Sequence, residues 1–84
     1  MDVIAEVSKI IQHKIEDVGY ILDEVLYERE DDMNFLRIVI DKNGVVDIDD
    51  CVVVSNLINP ILDEADLIEE SYILDVCSKE KGRE

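Results

Sequence analysis

Seven acidic residues form the most evident candidate site in this sequence, and they fall into two groups along the chain. The first group surrounds an Asn-Gly turn and the start of a predicted helix, and the second lies in a later acidic connector: Asp41, Asp47, Asp49 and Asp50, then Asp63, Glu64 and Asp66. Carboxylates at this density can coordinate a metal ion, act as general acid and base, or attract a basic partner. Their spacing and the composition of the chain decide among these roles.

The metal interpretation concerns the segment that runs from Asp41 to Asp47, which resembles the start of a calcium-binding loop. Such a loop needs a glycine at its sixth position and a bidentate glutamate at its twelfth. Counted from Asp41, those positions hold Val46 and Val52. A tight turn followed by a helix cap explains the same residues, so we expect no metal site and no bound cofactor.

The thiols and the single histidine are the other residues that could do chemistry: Cys51, Cys77 and His13. Spacing assigns Cys51 to an apolar helix face, Cys77 to a strand end and His13 to the polar side of the first helix. A structural zinc ion needs about four nitrogen or sulfur ligands, and free cysteine commonly packs as a small apolar side chain. The sequence also has no nucleophile elbow and no phosphate-binding glycine motif. We therefore predict that the protein is not an enzyme.

The charge of the chain limits its partners. The 84 residues carry 22 acidic and 8 basic side chains, for a formal net charge of −14. Such a surface repels phosphate backbones, so we expect no direct binding to nucleic acid. The charge favours a basic protein as partner, because complementary charge increases the rate of association. The alternative is that the charge only keeps a small protein in solution.

The cysteines and the apolar segments predict the cellular compartment of the protein. Two cysteines without a CxxC motif, in a chain with no signal peptide, favour a reduced protein in the cytoplasm. No apolar run approaches the roughly 18 residues of a membrane span. We therefore expect no membrane partner.

Hydrophobic periodicity predicts five elements. A first helix, capped by Asp2, ends at Gly19, and two strands follow at residues 20–29 and 34–41, joined as a hairpin. In the first strand, Ile21, Val25 and Tyr27 fall on one face and Leu22 on the other. Because both faces are partly apolar, we expect this strand inside the sheet.

The second half of the chain begins with a helix for which Asp47 is the expected N-cap. This helix is apolar over a wide arc, so we expect it to be well buried. Pro60 predicts a kink or a break, with a short turn at residues 61–64. A third strand is predicted at residues 72–77.

These elements predict an α+β fold, a two-layer α/β sandwich in the order α-β-β-α-β. Its three-stranded sheet would carry two helices on one face. The other face, around Phe35, Arg37, Val39 and Ile73, would be partly open. We expect one domain over residues 1–78 and a polar, frayed tail over residues 79–84.

Several short motifs resemble the N-terminal domain of the bacterial ribosome maturation factor family RimP. The resemblance rests on their order: Gly19-Tyr20, Tyr27, the run from Leu36 to Lys42, Gly44-Val45, Asp49-Asp50-Cys51, Ser55, Leu62-Asp63, Asp66, Ile68, and the run from Tyr72 to Val76. The family usually continues into a small β-barrel domain after a turn containing Pro-Gly. Here Ser78 fits that pattern and the Pro-Gly is missing. An excised domain, a truncated relative and a paralogue remain open as explanations.

The resemblance implies a non-catalytic, cytoplasmic factor that matures the small (30S) ribosomal subunit by binding protein. Its partner would be a basic small-subunit ribosomal protein or the pre-small-subunit particle. The seven acidic residues named above are then the candidate contact surface. The alternative is a stand-alone interaction or regulatory module unrelated to the ribosome, which would use the open sheet face around Phe35 and Val39 as an apolar patch.

Overall fold

Apolar residues at helical spacing form the first layer of the structure. The structure is a computed structural model that describes residues 2–79. Helix α1 spans Val3–Asp17 and buries Val7, Ile11 and Ile15 along one face. The side chain of Asp2 accepts hydrogen bonds from the amides of Ile4 and Ala5, so the predicted N-cap is confirmed. The helix ends as predicted before Gly19, whose φ of 90° is easily adopted only by glycine.

Three strands form the second layer. Strand β1 spans Ile21–Glu30, β2 spans Met33–Asp41 and β3 spans Ile73–Ser78, and the sheet order is β1-β2-β3. Strands β1 and β2 are antiparallel and form the predicted hairpin, whereas β2 and β3 are parallel. A parallel pair needs a crossover connection, and helix α2, which spans Ile48–Ala65, is part of that crossover. The α+β fold in the order α-β-β-α-β is confirmed.

The prediction that the first strand lies inside the sheet was wrong. Strand β1 is an edge strand, and the centre is held by β2, where Leu36, Ile38 and Ile40 are fully buried. Val39, which points to the other face, is only 7% exposed. Burial on both faces is the mark of a central strand, and β2 shows it more strongly than β1.

A β-bulge explains why the faces of β1 were predicted incorrectly at its start. The register shifts between Leu22 and Glu24, so Leu22 pairs with Ile40 and joins the face of Val25. Leu22 packs against the core, and Ile21 is 53% exposed. The extra residue reverses the alternation of side chains, which a strict period of two cannot anticipate.

Helix α2 differs from its prediction in two ways. It is one continuous helix through Pro60, so the predicted break with a separate turn was wrong, and the alternative of a kink at Pro60 stays a prediction. It buries Val54, Ile58 and Leu62, but its N-terminal half leaves Ile48, Val52 and Val53 exposed, so the expected burial over a wide arc was wrong. The fully buried residues form a narrow stripe along the helix, Cys51, Leu57 and Ile61 pack partly against the core, and Ile48, Val52 and Val53 are exposed.

The core lies between the two helices and the sheet. It joins three residues of α1, three of α2, Val25, Val46 and the central residues of β2 in one cluster. At the end of β3, the amide of Lys79 donates to the carbonyl of Ile40 at 3.0 Å. The remainder of the predicted tail, residues 80–84, lies outside the described residues.

Candidate functional site

The first acidic group lies where β2 leads into α2. Asp41 ends the strand, is partly buried, and accepts a hydrogen bond from the amide of Lys42 at 2.8 Å. Asp47 and Asp49 are exposed, Asp47 as the N-cap of α2 and Asp49 in its first turn. Negative charge is favourable there, because the amino end of a helix carries a partial positive charge. These carboxylates can therefore face a partner without destabilising the helix.

Asp50 differs from its neighbours because its carboxylate points into the protein. The residue is 9% exposed. Its Oδ1 accepts the hydroxyl of Tyr20 at 2.5 Å, and its Oδ2 accepts the amide of Asp47 and pairs with Nζ of Lys42, both at 2.9 Å. In return, the amide of Asp50 donates to Oδ1 of Asp47 at 3.0 Å, which completes a capping box.

These contacts decide the protonation of the Asp50 cluster, by which we mean Tyr20, Lys42, Asp47 and Asp50. The Tyr20 hydroxyl, the Asp47 amide and the Lys42 ammonium hold the pKa of Asp50 well below its usual range. The same hydrogen bond, together with burial, raises the pKa of Tyr20 to about 12. At neutral pH Asp50 is thus an anion with both oxygens engaged, and it ties the start of β1 and the end of β2 to α2.

Exposed apolar side chains accompany the first acidic group. Val45 is 72% exposed and Ile48 is 66% exposed, and Val52 follows one helical turn after Ile48. We call the exposed side chains of Val45, Asp47, Ile48, Asp49 and Val52 the α2 N-terminal surface. Apolar residues with charged neighbours are typical of protein interfaces, where an apolar centre is ringed by polar groups.

The second acidic group lies at the other end of the same helix. Asp63, Glu64 and Asp66 are all exposed, and Asp66 is the C-cap, with φ 49° and ψ 48°. No basic residue stands in the last turn of α2. Carboxylates at the carboxyl end of a helix meet its partial negative charge, which is unfavourable. A basic partner would relieve this repulsion. We call Asp63, Glu64, Asp66, Glu69 and Glu70 the α2 C-terminal surface.

The structure does not bring the two acidic groups together. Asp49 and Asp63 are separated by fourteen positions of one helix, and a rise of 1.5 Å per residue places them about 20 Å apart. A single small ligand cannot contact both groups. They form two separate surfaces, one at each end of α2.

A groove opens beside the α2 C-terminal surface. It has a volume of about 450 Å³ and lies between the outer side of α2, at Ser55, Asn59 and Asp63, and the start of β3, at Glu70, Ser71, Tyr72 and Leu74. Burial raises the pKa of Tyr72, and the nearby Asp63 and Asp66 raise it further. The groove is therefore polar and anionic.

The open sheet face is organised around Arg37, which sequence reasoning assigned to that face without a role. Its guanidinium pairs with Glu28, with Glu30 at 3.3 Å and with Asp75 at 3.2 Å. It also lies 5.0 Å from the centre of the Phe35 ring. These acceptors raise the pKa of Arg37. Together with the burial of Val39, these contacts reduce the open apolar area on this face.

The candidates for catalysis are not brought together. His13 is exposed on α1, and Cys51 packs against the core from α2. Cys77 pairs with Val39 and lies on the opposite face of the sheet, where burial raises the pKa of its thiol. Within residues 2–79, no group of three or more His, Cys, Asp or Glu side chains is placed to hold a metal ion. In the same range, no helix has the length and apolarity needed to cross a membrane.

Sequence reasoning missed the Asp50 cluster for a physical reason. Asp47 and Asp50 have the spacing of a capping box, and that spacing is a readable signal. Tyr20 and Lys42 come from other parts of the chain, and only the register of the hairpin brings them to α2. The Arg37 network depends in the same way on the pairing of Arg37 with Leu26 and Asp75.

A comparison with protein families agrees with this architecture. The family model described as the RimP N-terminal domain matches residues 10–79. The match contains most of α1, the whole sheet and all of α2. It therefore includes both acidic surfaces, the Asp50 cluster and the Arg37 network.

Proposed function

Because the chain belongs to the RimP N-terminal domain family of ribosome maturation factors, we propose that it promotes maturation of the small (30S) ribosomal subunit by binding one of its proteins. The family match over residues 10–79 is the observation that carries this proposal. The action is binding rather than catalysis. The partner is a basic small-subunit protein, free or in the pre-small-subunit particle, and the setting is the cytoplasm.

The charges of the described residues support a basic partner. Ion pairs within the chain already engage Arg29, Arg37, Lys42 and Lys79. Few basic side chains therefore remain to oppose the acidic residues on the surfaces around α2, in a chain whose net charge is −14. Such a field attracts the basic proteins of a ribosomal particle and repels its phosphates. Direct contact with nucleic acid is not part of the proposal.

The contact residues we propose are the candidates predicted from the sequence, with a division of roles. Asp47 and Asp49, with Asp41 nearby, contact the partner at the α2 N-terminal surface, where Val45 and Ile48 add apolar area. Asp63, Glu64 and Asp66 contact it at the other end of the helix. Asp50 supports the first contact from inside, because its carboxylate is engaged by Tyr20 and Lys42.

Cosedimentation with immature small subunits tests the proposal. We expect binding at low salt that weakens steeply as salt rises, because surface charge attraction is screened. The double variant Asp41→Asn with Asp49→Asn should weaken binding by about tenfold, since rim charges govern encounter. An asparagine at position 41 keeps an oxygen that accepts the Lys42 amide.

The matched control is Asp17→Asn with Glu24→Gln, which removes the same charge from exposed positions on α1 and β1, outside both α2 surfaces. Equal weakening by the two pairs would show that only net charge matters and would contradict the assigned surface. Absence of any association with immature particles would contradict the proposed function. A non-ribosomal partner that stays bound at high salt would favour the stand-alone module instead.

A further inference from the structure

The outer edge of β3 is an open side of the sheet. Within residues 2–79 the sheet has three strands, and β3 pairs only with β2. The pairing of β3 is regular from Ile73 to Ser78, without a bulge. Asp75 is the only charged residue in this strand, which also contains no proline. Bulges, prolines and multiple charges are the usual means by which an edge is protected from pairing, and β3 has none of them.

The direction of the edge amides follows from the last hydrogen bond of the sheet. The amide of Lys79 donates inward, to the carbonyl of Ile40. Backbone groups of a strand alternate between its two sides, so Cys77 and Asp75 also face β2. Leu74 and Val76 therefore direct their amides and carbonyls outward. An added strand would find two donors and two acceptors there.

The other edge of the sheet is less suited to accept a strand. Strand β1 is interrupted by the bulge between Leu22 and Glu24. It also carries five charged residues in the run Ile21–Glu30, four of them acidic. Bulges and charges of this kind discourage edge pairing. The two edges are thus unequal, and β3 is the receptive one.

The anionic groove lies directly beside the β3 edge. Leu74 of β3 and Tyr72, just before the strand, line it on one side, and Asp63 and Glu70 supply its carboxylates. Alternate side chains of an added strand would point into this groove, because successive side chains of a strand face opposite sides of the sheet. Lysine or arginine at those positions would meet Asp63 and Glu70.

We propose that the β3 edge and the adjoining groove bind an extended, basic peptide segment of a partner protein as a fourth strand. Main-chain hydrogen bonds to Leu74 and Val76 would supply affinity, and the groove would select basic side chains at alternate positions. The inference deepens the proposed function, on which it rests for the basic partner. A second copy of this chain fits the site less well, because two chains of net charge −14 repel each other.

The probe for this site is a short peptide of alternating lysine and valine, with both ends blocked. Its titration into the labelled protein should shift the amide resonances of residues 71–78 and slow hydrogen exchange at Leu74 and Val76. The same peptide with every backbone nitrogen methylated keeps its charge and loses its donors. We expect it to bind about tenfold more weakly or worse, from the loss of two or more hydrogen bonds.

A pair of protein variants tests the groove. Asp63→Asn with Glu70→Gln should weaken the peptide by about tenfold, since both carboxylates face the bound side chains. The glutamine keeps an oxygen for the Tyr27 hydroxyl, which donates to Glu70 at 3.4 Å. The control, Asp17→Asn with Glu24→Gln, removes equal charge from exposed residues that line neither the groove nor the two α2 surfaces, and it should change affinity by less than about twofold.

Three peptide-binding results would overturn the inference. These are equal binding of the methylated peptide, equal effects of the two variant pairs, and resonance shifts centred on Ile48 and Asp49 in place of β3. Concentration-dependent dimerisation that protects the β3 amides would show that a second copy is the occupant, and would also overturn it. The particle assay is independent. Peptide binding without particle binding would contradict only the proposed ribosomal role. Particle binding without peptide binding would contradict only the proposed β3 site.

Discussion

At the residue scale, the decisive side chain is Asp50, because it has a different role from the acidic residues beside it. Asp47 and Asp49 face solvent, whereas Asp50 accepts hydrogen bonds from Tyr20 and the Asp47 amide and pairs with Lys42. Sequence alone could place all three in the first turn of a helix. It could not tell which of them faces inward, since that depends on Tyr20 and Lys42, which arrive through the hairpin.

The Tyr20 hydroxyl provides a test of this cluster. Tyr20→Phe should lower the free energy of unfolding by about 1 kcal/mol, since it removes one hydrogen bond to a partly buried carboxylate. The folded pKa of Tyr20 is raised to about 12, above an unfolded value of about 10. Its contribution is therefore complete below pH of about 10 and is lost as the pH rises through about 12.

Urea unfolding of both proteins at neutral and alkaline pH measures this difference. Tyr27→Phe is the matched control, because the Tyr27 hydroxyl makes only an exposed contact of 3.4 Å with Glu70. We expect the control to cost less than Tyr20→Phe. A larger cost at position 27, or a Tyr20→Phe penalty that grows above pH of about 10, would contradict the description of the cluster.

At the scale of elements, periodicity predicted the five helices and strands and their order, but it could not predict local irregularities. A bulge changes which residues face the core without altering composition, and so Ile21 and Leu22 were assigned to the wrong faces. Pro60 is a strong breaker signal, yet the packing of Ile58 and Leu62 continues the helix on both sides of it. Tertiary burial outweighed the local preference.

The bulge can be tested by comparing two adjacent alanine variants. Leu22→Ala should cost about 2 kcal/mol, because Leu22 packs against the core. Ile21→Ala should cost less than about 1 kcal/mol, because Ile21 is 53% exposed. Chemical denaturation of the two variants gives both values. If Ile21→Ala instead costs more than Leu22→Ala, the side chains of β1 alternate strictly and the bulge is contradicted.

At the scale of the whole molecule, the net charge can be read from the sequence, whereas the positions of the acidic residues in the fold cannot. The net charge of −14 is a matter of counting. The placement of the seven candidate acidic residues at the two ends of one helix, about 20 Å apart, follows from the length of α2. The sequence prediction treated the seven acidic residues as one candidate surface, whereas the structure separates them into two.

Self-repulsion of this charge should make the protein more stable in salt. Raising NaCl from about 0.01 M to about 1 M shortens the screening length from about 30 Å to about 3 Å. The free energy of unfolding at neutral pH should therefore rise, while binding to a basic partner weakens. Urea unfolding at each salt concentration measures the first effect.

The control for this prediction is pH. Near the sequence pI of about 4.1, repulsion largely disappears, and the stabilising effect of salt should shrink. Destabilisation by salt at neutral pH would instead show that the ion pairs of Arg37 and Lys42 outweigh the repulsion among the other charges.

The mixed sheet has a consequence for the way the chain is made. The antiparallel hairpin joins neighbours in sequence and can form early, whereas the parallel seam must wait for the whole crossover. During synthesis, β2 can therefore pair with β1 on one edge, while its other edge stays unpaired until β3 leaves the exit tunnel. Ribosome-bound nascent chains with β3 still inside the tunnel and with β3 outside it should differ sharply in protease resistance. If they are equally resistant, the domain does not depend on its last strand to complete folding.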